Sequence, residues 1–182
     1  MSETWLHLHP WPGEPAPEGV TVKARARLED SHLEIGWVVG DPLGVVDWPA
    51  VSSAPERRDG LWEATCLEAF RAGDSSEAYE ELNLSPEGHW QIYAFANYRA
   101  GGRADPGQDR PAVRFKAGRG VRLVSASWLL ARPQAVIRVG LTAMIRTREG
   151  TMSCWALRHP GAQPDFHLAE TRMLELVSRR PD

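Results

Sequence analysis

Three short runs decide how this chain is read: Leu61-Trp62-Glu63-Ala64-Thr65-Cys66-Leu67-Glu68-Ala69-Phe70, then Tyr79-Glu80-Glu81-Leu82-Asn83-Leu84-Ser85-Pro86-Glu87-Gly88, then Trp90-Gln91-Ile92-Tyr93-Ala94-Phe95-Ala96-Asn97-Tyr98-Arg99. Each is rich in aromatic or alternating residues and is closed by turn formers, so the three predict successive antiparallel strands. Side chains alternate faces along a strand, which puts Glu68 on the side of Trp62, Cys66 and Phe70. A carboxylate on an apolar face needs a partner or a ligand, because an unpaired buried charge is costly. The pattern predicts a sheet whose one face binds something.

The same period recurs outward from this stretch. Further strands are predicted at Trp5–Leu8, Val20–Leu28, Leu33–Val39, Ala112–Lys116, Leu123–Leu130, Ala135–Ile145, Thr151–Leu157 and Met173–Val177. The last also fits a short helix. Val20, Val22, Ala24, Ala26 and Leu28 alternate with Thr21, Lys23, Arg25 and Arg27, the pattern of a half-exposed strand. No sustained helical period appears. Many short strands between Gly- and Pro-rich turns predict an all-β fold, an antiparallel β-sandwich of jelly-roll type, in a single domain over residues 1–182. Three long connections, Gly40–Gly60, Ala100–Pro111 and Arg158–Thr171, are candidate functional loops.

Composition narrows the classes. The 182 residues carry a net charge of -3, and the basic residues are scattered, so no nucleic-acid partner is expected. No apolar run approaches the roughly 18 residues a membrane helix needs. The run Met1 to Pro10 lacks a basic start and an apolar segment, which predicts no export signal and a cytoplasmic chain. Cys66 and Cys154 are then expected as buried free thiols, with a disulfide between neighbouring strands left open. Tryptophan is abundant, 8 against 4 Phe and 3 Tyr, which suits either a large core or the stacking of sugars.

The Trp62, Thr65-Cys66, Glu68, Phe70 run, the Asn83–Gly88 turn with Trp90, and the segment Trp155-Ala156-Leu157-Arg158-His159-Pro160 with Pro164-Asp165-Phe166-His167 resemble the bacterial DOMON-like proteins. These are similar in turn to carbohydrate-binding module family nine. The resemblance covers Leu61 to Val177 and implies a β-sandwich that binds sugars or, in some branches, haem. Haem-binding branches use a Met and a His as axial ligands. Met144, Met152 and Met173 match no such position, so no cofactor is expected.

Each candidate site residue has a plainer reading beside the functional one. Glu68 either faces a ligand or forms an ion pair with Arg99, Arg138 or Arg158. Arg158 and His159 follow the strand of Trp155 and either line a polar pocket or begin a turn. Asn83 and Arg99 could converge with Glu68, or decorate a solvated face. His159, Asp165 and His167 are weak metal candidates without a fourth ligand at a standard spacing, so no metal is expected. The chain has no nucleophile elbow, phosphate loop or dinucleotide fingerprint.

The sequence thus predicts non-catalytic binding of a small, carbohydrate-like ligand on the concave face of a β-sandwich. Trp62 and Trp155 would wall the pocket, and Glu68, Asn83, Arg99, Arg158 and His159 would supply hydrogen bonds. The alternatives are a glycosidase-like hydrolase using Glu68 with a second carboxylate such as Asp165, and a protein-interaction module. Aromatic walls with one carboxylate would favour binding. Two facing carboxylates would favour catalysis, and a flat apolar patch would favour a partner.

Overall fold

The computed structural model describes residues 4–74, 76–105, 107–131 and 134–178. Met1–Glu3, part of the stretch read for an export signal, and Pro106 of the second long connection lie outside them. The described residues form twelve antiparallel strands: β1 (Leu6–Pro10), β2 (Thr21–Glu29), β3 (His32–Gly40), β4 (Cys66–Gly73), β5 (Tyr79–Leu84), β6 (Trp90–Phe95), β7 (Arg103–Ala104), β8 (Ala112–Gly118), β9 (Val121–Leu129), β10 (Val136–Arg146), β11 (Met152–Ala156) and β12 (Leu174–Val177), all but the last on one continuous path. The order is β7-β6-β5-β4-β10-β11-β1-β2-β3-β9-β8, with β12 sharing an edge of β10. The path folds back on itself at β1, whose first half pairs with β2 and whose last residues pair with β11. A front layer (β7, β6, β5, β4, β10, β11, β12) thus covers a back layer (β1, β2, β3, β9, β8). This is the expected all-β sandwich.

The core lies between the layers and follows the period of two. Leu67, Ala69, Leu82, Leu84, Ile92, Leu141, Ala143 and Trp155 face inward from the front, against Val22, Leu33, Ile35, Trp37, Val124 and Trp128 of the back. Two predicted boundaries shift. Leu61–Glu63 forms a single 3-10 turn rather than the start of β4. Met173–Val177 gives a strand, not the alternative helix, because its backbone pairs with Val136–Val139. The two-residue strand β7, inside the second long connection, is too short to leave a period.

Register then fixes the outer face of the front layer. Thr142 stands opposite Glu68, Glu68 opposite Asn83, and Asn83 opposite Gln91. One row along, Gly140 stands opposite Phe70, Phe70 opposite Glu81, and Glu81 opposite Tyr93. Met144 lies between Cys66 and Cys154. The two cysteines are therefore two inter-strand spacings apart, about 9.5 Å, beyond the roughly 7 Å a disulfide spans. Both are free thiols, which closes the pairing that the sequence left open.

Candidate functional site

The connection Arg158–Thr171 turns back over this outer face. It crosses β10 at Gly140, where a Cβ atom would stand 3.0 Å from the Thr171 carbonyl oxygen, so a side chain there would crowd the crossing backbone. Thr171 fixes the crossing by donating its hydroxyl to the carbonyls of Phe166 (2.8 Å) and Leu168 (2.7 Å). Phe166 and His167 are thereby laid over Phe70, at ring-centroid distances of 6.4 and 5.3 Å. The third element is the end of the Gly40–Gly60 connection. Arg57 donates to the Asp105 and Gln108 carbonyls, both at 2.7 Å, and Asp59 accepts from Gln91 Nε2 and the Tyr93 hydroxyl, both at 2.8 Å. The following turn sets Trp62 against Tyr93 at 5.8 Å.

These elements enclose a cavity of about 500 Å³. Trp62, Phe70, Tyr93, Phe95, Phe166 and Met144 give it largely apolar walls, and Arg99, His167 and Cys154 are among the other lining residues. Glu68 and Glu81 stand on its floor, 3% and 6% exposed. Glu68 accepts from the Thr142 hydroxyl at 3.2 Å, and Glu81 from Asn83 Nδ2 at 2.9 Å. Among the described residues neither has a lysine or arginine partner. Burial, and then the charge of Glu81, raises the Glu68 pKa well above the carboxylate range, and burial raises that of Glu81. The ion pair weighed for Glu68 is not formed: Arg99 pairs with Asp165, Arg138 pairs with Asp74 and Glu175, and Arg158 is exposed.

His167 closes one side. The Tyr79 hydroxyl accepts from the Arg99 amide at 3.1 Å and lies 2.8 Å from His167 Nδ1. The other ring nitrogen, Nε2, lies 3.9 Å from Glu81 Oε2. Burial, with the nearby Arg99 charge, lowers the His167 pKa to about 4, so the ring is neutral. Asp165 serves as a brace. It accepts from the Tyr98 hydroxyl at 2.5 Å, from the His167 amide at 3.0 Å and from Arg99 at 3.0 Å, and these contacts, the Tyr98 hydroxyl first, hold its pKa down against partial burial.

Of the residues singled out from sequence, Trp62, Glu68 and Arg99 line the cavity, and Asn83 stands beneath it, fully buried behind Glu81. Trp155 does not line it. It is one position from the cavity-lining Cys154 and two from Ser153, so it faces the core, 4% exposed, and donates to the Ser153 hydroxyl at 2.8 Å. Arg158 is exposed, and His159 meets the His9 carbonyl at 2.8 Å beside Trp11, so both lie away from the cavity. His159, Asp165 and His167 are each engaged elsewhere, and no group of three potential metal ligands occurs among the described residues. Glu81, Tyr93, Phe95, Phe166 and the wall role of His167 escaped the sequence reading. Glu81, Tyr93 and Phe95 had a usable signal, since each alternates in phase with Asn83 or Gln91 once the strands pair. Phe166 and His167 had none, because they sit in a loop.

No family model matches the chain, and no curated protein matches it. Among solved structures it is similar to a candidate carbohydrate-binding protein of Bacteroides uniformis, with a TM-score of 0.67 at 11% identity over 97% of this chain and 87% of that one. It is also similar to a carbohydrate-binding module of family nine from Caldicellulosiruptor kristjanssonii. In complex with cellotriose that module gives 0.62 at 15% identity, over 99% and 85% of the chains. In complex with glucose it gives 0.62 at 14%, over 99% and 86%. What these likenesses establish is a shared fold, the β-sandwich, over nearly the whole chain.

Proposed function

We propose that this chain binds a small carbohydrate, without chemistry, in the cavity on the outer face of its front layer. The observation that carries the reading is the cavity's composition: apolar aromatic walls over a floor of hydrogen-bond acceptors. A sugar ring has an apolar face that packs on aromatic rings and an edge of hydroxyls that donate to carboxylates. The volume suits a mono- or disaccharide rather than a polymer groove. The DOMON-like sequence resemblance and the sugar complexes of the family-nine module point the same way. Two free thiols accord with a reducing compartment such as the cytoplasm.

The hydrolase reading gains one observation, because the cavity holds two carboxylates rather than one. Their placement favours binding. Glu68 and Glu81 rise side by side from neighbouring strands of one sheet face, in adjacent rows. A glycosidase pair flanks the scissile bond so that acid and base or nucleophile reach it from different sides.

Trp62 is 43% exposed and is the tryptophan that lines the cavity, so it is the natural reporter. Titration with a panel of mono- and disaccharides should change the tryptophan fluorescence, and the change should vanish in Trp62→Phe. Phe166→Ala should weaken binding, while circular dichroism keeps its β-sheet form. A panel that neither perturbs fluorescence nor gives heat in calorimetry defeats the proposal, and turnover of a chromogenic glycoside that disappears in Glu68→Gln replaces it with the hydrolase.

A further inference from the structure

We infer that the ligand of this cavity is a sugar bearing a free amino group, its ammonium seated over Glu68 and Glu81 and its ring against the aromatic walls. The inference rests on the sugar-binding reading and adds a charge to it. Its basis is two buried carboxyl groups facing one cavity without a paired cation, so that they hold protons which an ammonium would displace. The donor to Glu68 is the Thr142 hydroxyl and the donor to Glu81 is the Asn83 amide, both neutral, while the Cys66 thiol donates to Asn83 Oδ1.

Arg99 acts on Glu81 from the wall and lowers its pKa, but no cation pairs directly with either carboxylate among the described residues. On its own strand, burial holds the Cys66 thiol protonated, and on β11 burial and Glu14 do the same for Cys154. His167, from the overlying loop, is neutral. Arg99, at the wall, is engaged by Asp165, and Arg172 lies over the Tyr79 ring at 4.6 Å while donating to the His167 carbonyl. The Tyr93 hydroxyl is committed to Asp59, itself a carboxylate. A ligand hydroxyl satisfies one acceptor but brings no charge to displace the protons that the pair holds. An ammonium offers three donors and the charge itself, and the faces of Trp62, Phe70, Tyr93 and Phe166 favour a cation further.

Glucosamine, glucose and N-acetylglucosamine are the probes, compared by calorimetry on the full chain at neutral pH. Glucosamine should bind about tenfold tighter than either neutral sugar, the gain of roughly one charge-assisted contact. Its binding should also release protons from the carboxylate pair, seen as an enthalpy that changes with the ionisation enthalpy of the buffer. Glu81→Gln should narrow the ratio between glucosamine and glucose, with the melting temperature checking that the variant folds. Equal affinity for glucosamine and glucose overturns the inference and leaves the sugar reading standing, as does N-acetylglucosamine binding as tightly as glucosamine. If none of the three binds, the sugar reading falls and the inference falls with it. The wild-type ratio and proton release decide the matter even if the variant does not fold.

Discussion

Glu80 and Glu81 are adjacent in sequence, on the same strand, and face opposite worlds. Glu80 points between the layers and meets the Arg71 guanidinium, which in turn lies over the Trp128 ring at 4.3 Å. Gln108 completes the cluster, donating to Glu80 Oε1 at 3.1 Å and accepting from Trp128 Nε1 at 3.3 Å. Glu81 points outward to the cavity, beside Glu68, and the protein gives it an amide and a neutral imidazole. The half-buried Glu80 has a paired guanidinium, and the more deeply buried Glu68 and Glu81 have none. The paired charge is neutralised by the fold, whereas burial without a paired cation keeps protons on Glu68 and Glu81 toward neutral pH.

The contrast is tested most severely on the inner face. Trp155→Ala removes a core side chain and should cost about 3–5 kcal/mol in denaturant unfolding. Because Trp155 does not line the cavity, sugar affinity measured well below the unfolding transition should change little. Glu80→Gln should cost about 3 kcal/mol, since it strands a buried arginine. Glu68→Gln, on the outer face, should leave stability within about 1 kcal/mol or raise it, because it replaces a buried ionisable group that has no paired cation with a neutral amide of the same size. Equal losses for Glu80→Gln and Glu68→Gln would erase the distinction drawn here.

The pH dependence sharpens the comparison. The folded pKa values of Glu68 and Glu81 lie above the ordinary 4.5, so between that value and neutrality the native state holds protons that the unfolded state has lost. Their contribution to stability is full below about 4.5 and declines as pH rises into the neutral range. His167 has the opposite sign, because its folded pKa is lowered from 6.5 to about 4, so its contribution is lost as pH falls through that window. Glu68→Gln should therefore flatten the decline toward neutral pH, as read from melting temperature across a pH series, without altering the acid limb set by His167. The smallest effect concerns the thiols. Alkylation of the native protein should label Cys154, 9% exposed, before the fully buried Cys66, and both should react after unfolding.

Strand alternation carried most of the fold into the sequence. Side chains on a strand must alternate, so the runs around Glu68, Asn83 and Ile137–Ile145 show which positions are buried without any knowledge of the partner strand. The same rule placed Glu68 on a special face. It could not place Trp155, since a strand buried on both sides presents apolar residues to both, and the inner face cannot be told from the outer. Nor could it pair Glu80 with Arg71 rather than with a ligand, because that depends on which face each strand turns inward.

What the sequence determined by itself is the all-β sandwich and a carboxylate set on a strand face among aromatic residues. These are local consequences of period and turn chemistry. Tertiary structure alone decided that Glu81 joins Glu68, that Phe166 and His167 close the cavity, and that Arg158 and His159 stay outside it. Cross-strand register and the path of a long loop are set by contacts between residues far apart in the chain, and a pattern read along one strand holds no information about them.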